Sequence, residues 1–181
     1  MLVASFASPV SSPHLWAPHR RMLLAIDCGN SEFKLGLFEA ERLVADWRLT
    51  TRPDQTADEL GALLRQLFEL RGVDLAAVDG VVIASVVPSF NRALIEASQT
   101  YLKQEPLMVG PGIKTGVRVR IENPKEVGAD RIANSLAAFR RYGGPVVVID
   151  IGTALTYDAV SAEGDYLGGA IAPGLTVAMD A

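Results

Sequence analysis

Two stretches of the 181-residue sequence combine side chains that could bind phosphate groups. In each, an aspartate follows an apolar run and a glycine stands two positions later: Asp27 and Gly29 in LLAIDCGNSEFK, Asp150 and Gly152 in VVVIDIGTALTYD. Backbone N–H groups around such a turn can form an anion-binding nest, and nearby hydroxyl and amide groups can donate further hydrogen bonds. The aspartates repel phosphate, but they can hold a cation, usually Mg²⁺ through water, that screens it. The pattern predicts a polyphosphate site.

A single D-x-G pattern is typical of ordinary turns, so the argument depends on the repetition. Val146–Ile149 is strongly aliphatic, which predicts a buried strand that ends at Asp150. Gly152 permits a tight turn into a second strand that carries Thr153 and Thr156. Because the same design occurs at both places, we expect a fold built from two related halves.

The composition favours a globular protein that acts on small molecules. The chain is 49% hydrophobic and carries a formal net charge of −4, so it shows no basic stripe for nucleic acid. Cys28 is the only cysteine, which excludes an internal disulfide and a multi-cysteine zinc site and fits a reducing cytoplasm. No apolar run reaches the length of about 18 residues typical of a membrane span.

Residues 1–21 are interpreted as a disordered or misannotated leader, with Met22 as a sensible start. The segment is rich in Ser, Pro and Ala, and its basic residues Arg20 and Arg21 follow the apolar run, the reverse of a secretory signal; a transit peptide is the alternative. Both histidines, His14 and His19, lie here. If the leader is dispensable, a general base must be a carboxylate or a lysine, and any metal must have oxygen ligands.

The following segment predicts strands and helices in alternation. After the first strand come Phe33–Glu39 and Arg42–Leu49, a helix capped by Thr56, a strand Asp79–Ser85, a helix Pro88–Leu102 and a short strand Leu107–Val109. GPGIKTG at 110–116 is interpreted as a loop, because Ile113 interrupts the Walker spacing. This order is typical of a mixed α/β sheet with crossover helices.

The last third of the chain begins with a helix that opens at Gly128-Ala129-Asp130-Arg131 and ends at Gly143. An acidic residue at a helix start ordinarily complements the helix dipole, so Asp130 alone does not indicate catalysis. A second domain is predicted from Gly144. It contains a strand, YLGGAIAPG, whose glycines weaken it unless something such as a flat nucleoside must approach closely, and a helix from Thr176.

Four motifs in this order make the chain resemble the type III pantothenate kinases, of the actin, Hsp70 and sugar-kinase superfamily. They are D-x-G-N at Asp27, G-A-D-R at Gly128, D-x-G-T at Asp150 and G-G-A-I at Gly168. The resemblance covers 22–181. It implies a ribonuclease H-like (actin-like ATPase) α/β fold in two copies, and ATP-dependent phosphorylation of pantothenate to 4′-phosphopantothenate, the first step of coenzyme A synthesis.

The resemblance also implies roles for individual residues. Asp130 would be the proton acceptor, Arg131 would pair with the pantothenate carboxylate, and Asp150 would hold a monovalent cation, K⁺ or NH₄⁺. The implied ATP and phosphate site comprises Asp27, Cys28, Gly29, Asn30, Ser31, Glu32, Phe33, Lys34 and Thr153. The implied pantothenate site comprises Ile121, Gly128, Ala129, Asp130 and Arg131, and the adenosine motif Gly168, Gly169, Ala170 and Ile171. The implied cofactors and partners are ATP, Mg²⁺, pantothenate and a second copy of the protein in the cytoplasm.

Two features depart from the family pattern. Ile121 stands where members often carry a substrate-contacting tyrosine, and the second domain, 144–181, is much shorter than the first, 22–143. We therefore expect a second domain that is truncated and lacks a substrate-binding threonine. The alternative to a kinase is a noncatalytic homologue that binds nucleotide or a partner, or an inactive fragment, although retention of Lys34, Asp130 and Asp150 favours an enzyme.

Overall fold

The computed structural model describes residues 21–110 and 113–174, and a five-stranded mixed sheet forms the first part of it. The strands are β1 (Met22–Cys28), β2 (Glu32–Glu39), β3 (Arg42–Thr50), β4 (Val78–Ser85) and β5 (Leu107–Val109). Their order is β3-β2-β1-β4-β5. The first three are antiparallel neighbours, whereas β4 and β5 join in parallel, which requires a crossover connection before each.

Helices supply both crossovers and cover one face of this sheet. Helix α1 (Ala57–Leu70) begins with a capping box in which Thr56 and Glu59 satisfy each other's backbone N–H groups. Helix α2 (Pro88–Ala97) starts with proline and continues into a π-helical turn, Ser98–Leu102. The alternate side chains of β1 and β2 that point toward these helices are buried: Met22, Leu24, Ile26, Cys28, Phe33, Leu35 and Leu37.

A three-stranded antiparallel meander forms the second sheet, with β6 (Val146–Ile151), β7 (Ala154–Val160) and β8 (Tyr166–Pro173) in chain order. Helix α3 (Ala129–Tyr142) lies between the sheets, in contact with β4 on one side and with β6 and β7 on the other. Short 3₁₀ turns occur at Leu75–Ala77 and Pro124–Glu126. Helix α3 therefore connects the two halves of the site described below.

The predicted strands and helices are confirmed with small shifts at their ends, and two details differ. Thr153 lies in the turn between β6 and β7 and not in the strand. The second predicted helix changes to π geometry after Ala97, where the Ser98 hydroxyl donates to the Leu94 carbonyl at 2.8 Å. Between β5 and α3, Val119 forms an isolated bridge with Tyr166.

Two sequence predictions lie outside the described residues: the leader as far as residue 20 and the helix from Thr176. Within 21–110 and 113–174, none of the helices has both the length and the apolarity needed to cross a bilayer. The residue boundaries of the two proposed domains stay predictions.

Candidate phosphoryl-transfer site

The first D-x-G turn connects β1 to β2 and is braced from β3. The Gly29 N–H donates to the Glu32 carbonyl at 3.0 Å, which closes the turn and leaves Asn30 and Ser31 exposed. Thr51, a buried residue that the sequence analysis did not single out, donates its hydroxyl to the Gly29 carbonyl at 2.7 Å and its N–H to the Ser31 carbonyl at 3.0 Å. The position of these exposed polar groups is therefore fixed by the sheet.

Asp27 and Lys34 lie opposite each other in the β1–β2 ladder, on the sheet face away from α1 and α2. The Lys34 ammonium is 3.5 Å from an Asp27 carboxylate oxygen, and both side chains are about half exposed. Cys28 and Phe33 alternate with them and are each 1% exposed, so their side chains pack in the core and not at the turn surface. Glu32 is exposed and pairs with Arg48 at 3.6 Å.

The second D-x-G turn meets the first. It is closed by the Gly152 N–H, which donates to the Ala154 carbonyl at 2.9 Å. The Gly174 N–H, just after β8, donates to the Thr153 carbonyl at 3.1 Å and supports the same turn. The hydroxyls of Ser31 and Thr153 are 2.9 Å apart. This contact joins turns that are 122 positions apart in the sequence.

The first turn of α3 brings Asp130 to the same place. Its carboxylate accepts the Arg131 N–H at 2.8 Å, and a Cβ on Gly128 would lie 2.4 Å from that carboxylate oxygen, so a larger residue there would displace the Asp130 carboxylate. Burial raises the pKa of Asp130, and the negative charges of Asp27 and Asp150 raise it further, against the lowering effect of the Arg131 N–H. Both aspartates are thus close enough for their charges to act on the Asp130 carboxyl.

Asp150 is exposed at the end of β6 and accepts a hydrogen bond from the Asn134 amide at 3.1 Å. Among the described residues there is no cluster of three or more His, Cys, Asp or Glu side chains that could hold a metal by themselves. Mg²⁺ commonly keeps several waters and uses one or two carboxylates together with substrate phosphates. The oxygen donors Asp27 and Asp150, beside a phosphate-type turn, fit that mode of binding.

The Arg131 side chain lies against the second sheet. Its Nε donates to Asp158 Oδ1 at 2.8 Å, and its Nη2 lies 2.7 Å from the same oxygen. The Tyr166 hydroxyl donates to that oxygen as well, at 2.7 Å. Asp158 and Tyr166 were not among the predicted site residues. They follow Arg131 by 27 and 35 positions, and a contact over such a separation leaves no local signal in the sequence.

The remaining predicted residues lie near this cluster. Ile121 packs in a small apolar group with Val127, Ile132 and Tyr166, and a Cβ on Gly168 would meet it at 3.4 Å. Ala129 is buried in the first turn of α3. Gly169 lies against Arg131, whereas Ala170 and Ile171 are exposed on β8. The G-G-A-I segment therefore begins beside the predicted substrate residues and continues along the edge strand.

Comparison with known proteins places this arrangement in a family. A sequence profile described as type III pantothenate kinase matches residues 23–181. Two curated proteins named type III pantothenate kinase, from Moorella thermoacetica and Roseiflexus sp., are 52% and 51% identical over 160 residues. These matches cover 88% of this chain and 63% of each relative, so the chain spans less than two thirds of their length.

Solved structures with little sequence similarity share the fold. A reductive activator for a corrinoid, iron-sulfur protein superposes with a TM-score of 0.55 at 14% identity, over 81% of this chain and 30% of that one. The ethanolamine utilization protein EutJ from Carboxydothermus hydrogenoformans superposes with a TM-score of 0.51 at 13% identity, over 88% of this chain and 53% of EutJ. The chain therefore has the ribonuclease H-like, actin-like ATPase fold that the motifs predicted.

Proposed function

The chain belongs to the type III pantothenate kinase family, and from that premise we propose that it carries the phosphate-binding turns and the catalytic carboxylate of an enzyme that phosphorylates pantothenate with ATP. The product would be 4′-phosphopantothenate, in the first step of coenzyme A synthesis. The observation that carries the proposal is that the two D-x-G turns touch through Ser31 and Thr153, while the aspartates of both turns raise the pKa of the half-buried Asp130.

Asp130 is the proposed general base. The pKa of its carboxyl is raised toward neutral pH, so Asp130 is a stronger base than an ordinary aspartate. It can therefore accept the proton of the primary hydroxyl of pantothenate as that oxygen attacks the γ-phosphorus. The bond to the ADP leaving group breaks as the new O–P bond forms. The adjacent Arg131 would recognise the pantothenate carboxylate.

The two turns are the proposed phosphate clamp. The Lys34 ammonium can form ion pairs with the phosphates, while Asn30, Ser31 and Thr153 can donate hydrogen bonds to them from exposed positions. Asp27 would hold hydrated Mg²⁺, which neutralises phosphate charge when bound. Asp150, held by Asn134, is the proposed ligand for K⁺ or NH₄⁺.

The proposal also covers the adenosine contact, the assembly and the location. The segment Gly168–Ile171 is the proposed adenosine contact, and its first two residues also border the pantothenate side through Ile121 and Arg131. The proposed assembly is a homodimer, which the exposed apolar side chains of the second sheet favour. The proposed location is the cytoplasm, which suits the single buried thiol Cys28.

The test is an assay of ADP formation that depends on pantothenate, in the longest form that the gene encodes. We expect Asp130→Asn to lower turnover by about 10²- to 10⁴-fold, the usual contribution of a general base. Asp54→Asn, in an exposed turn between β3 and α1, is the matched control and should keep full activity. Nucleotide binding without any transfer by the unmodified protein would support the noncatalytic alternative.

A further inference from the structure

A buried polar cluster joins α3 to the second sheet, one residue from Asp130. It consists of Arg131, Asp158 on β7 and Tyr166 on β8, and its central carboxylate is 1% exposed. Nε of Arg131 and the Tyr166 hydroxyl both donate to Oδ1 of Asp158, with Nη2 of Arg131 also in contact. Asp158 Oδ2 is buried and has no hydrogen-bond partner among the described residues.

The energetics of this cluster indicate a role other than stability. A buried ion pair loses the hydration of both charges, and well-packed apolar residues of similar volume often stabilise a fold as well or better. Here all three contacts are made to Asp158 Oδ1, while Asp158 Oδ2 has no hydrogen-bond partner among the described residues. Such a geometry fixes the direction of the guanidinium more strictly than it stabilises the sheet.

The neighbouring strand is adapted to the cluster. Gly169 lies opposite Asp158 in the β7–β8 ladder, and a Cβ there would come within 2.4 Å of Arg131 Nη2 and 2.8 Å of Asp158 Oδ1. The glycine thus admits the guanidinium between α3 and β8. This gives Gly169 a function in its own right, separate from any contact with a nucleoside.

We propose that Asp158 is a positioning residue that fixes the Arg131 guanidinium for recognition of the substrate carboxylate. The inference rests on the proposed function. Asp158 contacts Nε and Nη2 of Arg131, and Nη2 is buried with no hydrogen-bond partner among the described residues. A guanidinium has five N–H donors in a planar fork, so the two donors of Nη1 are the ones left for an anion. Arg131 follows Asp130 in the same helical turn, and Asp158 therefore also aligns the acceptor substrate with the proposed base.

The kinetic test compares two variants with two controls in the longest form that the gene encodes. We expect Asp158→Asn to raise KM for pantothenate by about tenfold or more and KM for ATP by less than threefold, because a neutral amide no longer holds the guanidinium. Tyr166→Phe, which keeps the ion pair, should raise KM for pantothenate about threefold. Asp165→Asn breaks an Arg–Asp pair with Arg120, and Tyr101→Phe breaks a Tyr–Asp bond with Asp58; both should leave each KM unchanged.

If Asp158→Asn does not fold, Tyr166→Phe decides: an unchanged KM for pantothenate in that variant overturns the proposal. A folded Asp158→Asn protein with a lower melting temperature and both KM values unchanged overturns it as well, because the cluster would then be structural only. These results differ from failure of the proposed function, in which the unmodified protein itself would not phosphorylate pantothenate.

A second readout does not depend on turnover. The Nε–H signal of Arg131 in a ¹⁵N–¹H spectrum should exchange slowly with solvent in the unmodified protein and rapidly in Asp158→Asn, with Arg65 on the surface of α1 as the reference for fast exchange. Equal exchange rates at Arg131 and Arg65 in the unmodified protein would overturn the proposed fixation of the guanidinium.

Discussion

The five-stranded sheet buries one face under α1 and α2, whereas the three-stranded sheet has α3 on one face and exposes apolar side chains on the other. In the first, the buried residues form one continuous apolar cluster. In the second, Val147 is 62%, Ile149 56% and Ile151 65% exposed, and the covered face holds the Arg131–Asp158–Tyr166 cluster together with a small apolar group. The first region is therefore stabilised by continuous apolar burial, whereas the second buries much less apolar surface and uses part of its covered face for polar contacts.

The largest expected effect is the loss of an aromatic ring from the first region. Phe68 is fully buried on α1 and stacks on Trp47 with 5.2 Å between ring centroids. Phe68→Ala should lower the free energy of unfolding by about 3–5 kcal/mol, measured by chemical denaturation. Ile149→Ala in the second region should change it by less than about 0.5 kcal/mol, because that side chain is already exposed. Similar losses for the two substitutions would contradict the comparison.

The second expected effect is a local loosening of the second sheet. A Cβ at Gly169 would lie 1.9 Å from the Tyr157 carbonyl oxygen as well as close to Arg131, so Gly169→Ala should cost about 1–3 kcal/mol. Amide hydrogen exchange should accelerate in β7 and β8 while β1 and β4 keep their protection. Gly110→Ala is the control, since its Cβ would meet nothing within 4 Å. Uniform acceleration in both sheets would show that the two regions unfold as one.

The third expected effect concerns association and not stability. Because large apolar patches promote contact between molecules, Ile149→Lys should reduce the concentration-dependent mass seen by light scattering, with unfolding free energy within about 0.5 kcal/mol of the original. Leu70→Lys replaces a separate apolar residue at the end of α1 that is more exposed, 80% against 56%, and should leave the mass unchanged. If both substitutions reduced the mass equally, the added positive charge would explain the loss of association, and the apolar face of the second sheet would not.

The smallest expected effect is on the pH dependence of stability. The folded state raises the pKa of Asp130, so its contribution to stability is full below the ordinary value of about 3.9 and is lost as pH rises through the raised pKa. Asp130→Asn removes this loss, and its melting temperature should equal or slightly exceed that of the unmodified protein at pH 7–8. A clearly lower melting temperature at that pH would show that the charged carboxylate stabilises the fold.

The sequence predicted most of what depends on neighbouring residues. An apolar run followed by D-x-G specifies a strand and a turn locally, and Thr56 is a typical N-cap, so these strands, turns and the start of α1 were predicted. Contacts between distant positions were not found: Thr51 under the first turn, Asn134 on Asp150 and Asp158 on Arg131. These side chains carry no pattern of their own, and only the packing of α3 between the sheets brings the last two pairs together.

The central claim is that Asp130 and the two D-x-G turns form one phosphoryl-transfer site for pantothenate. The most direct measurement is the rate of pantothenate-dependent ADP formation by Asp130→Asn beside the unmodified protein, with the fold of both checked by thermal melting. The account predicts a fall of about 10²- to 10⁴-fold with melting unchanged or slightly raised. A fall of less than about threefold in a folded variant would contradict it and leave Asp130 as a residue that only complements the start of α3.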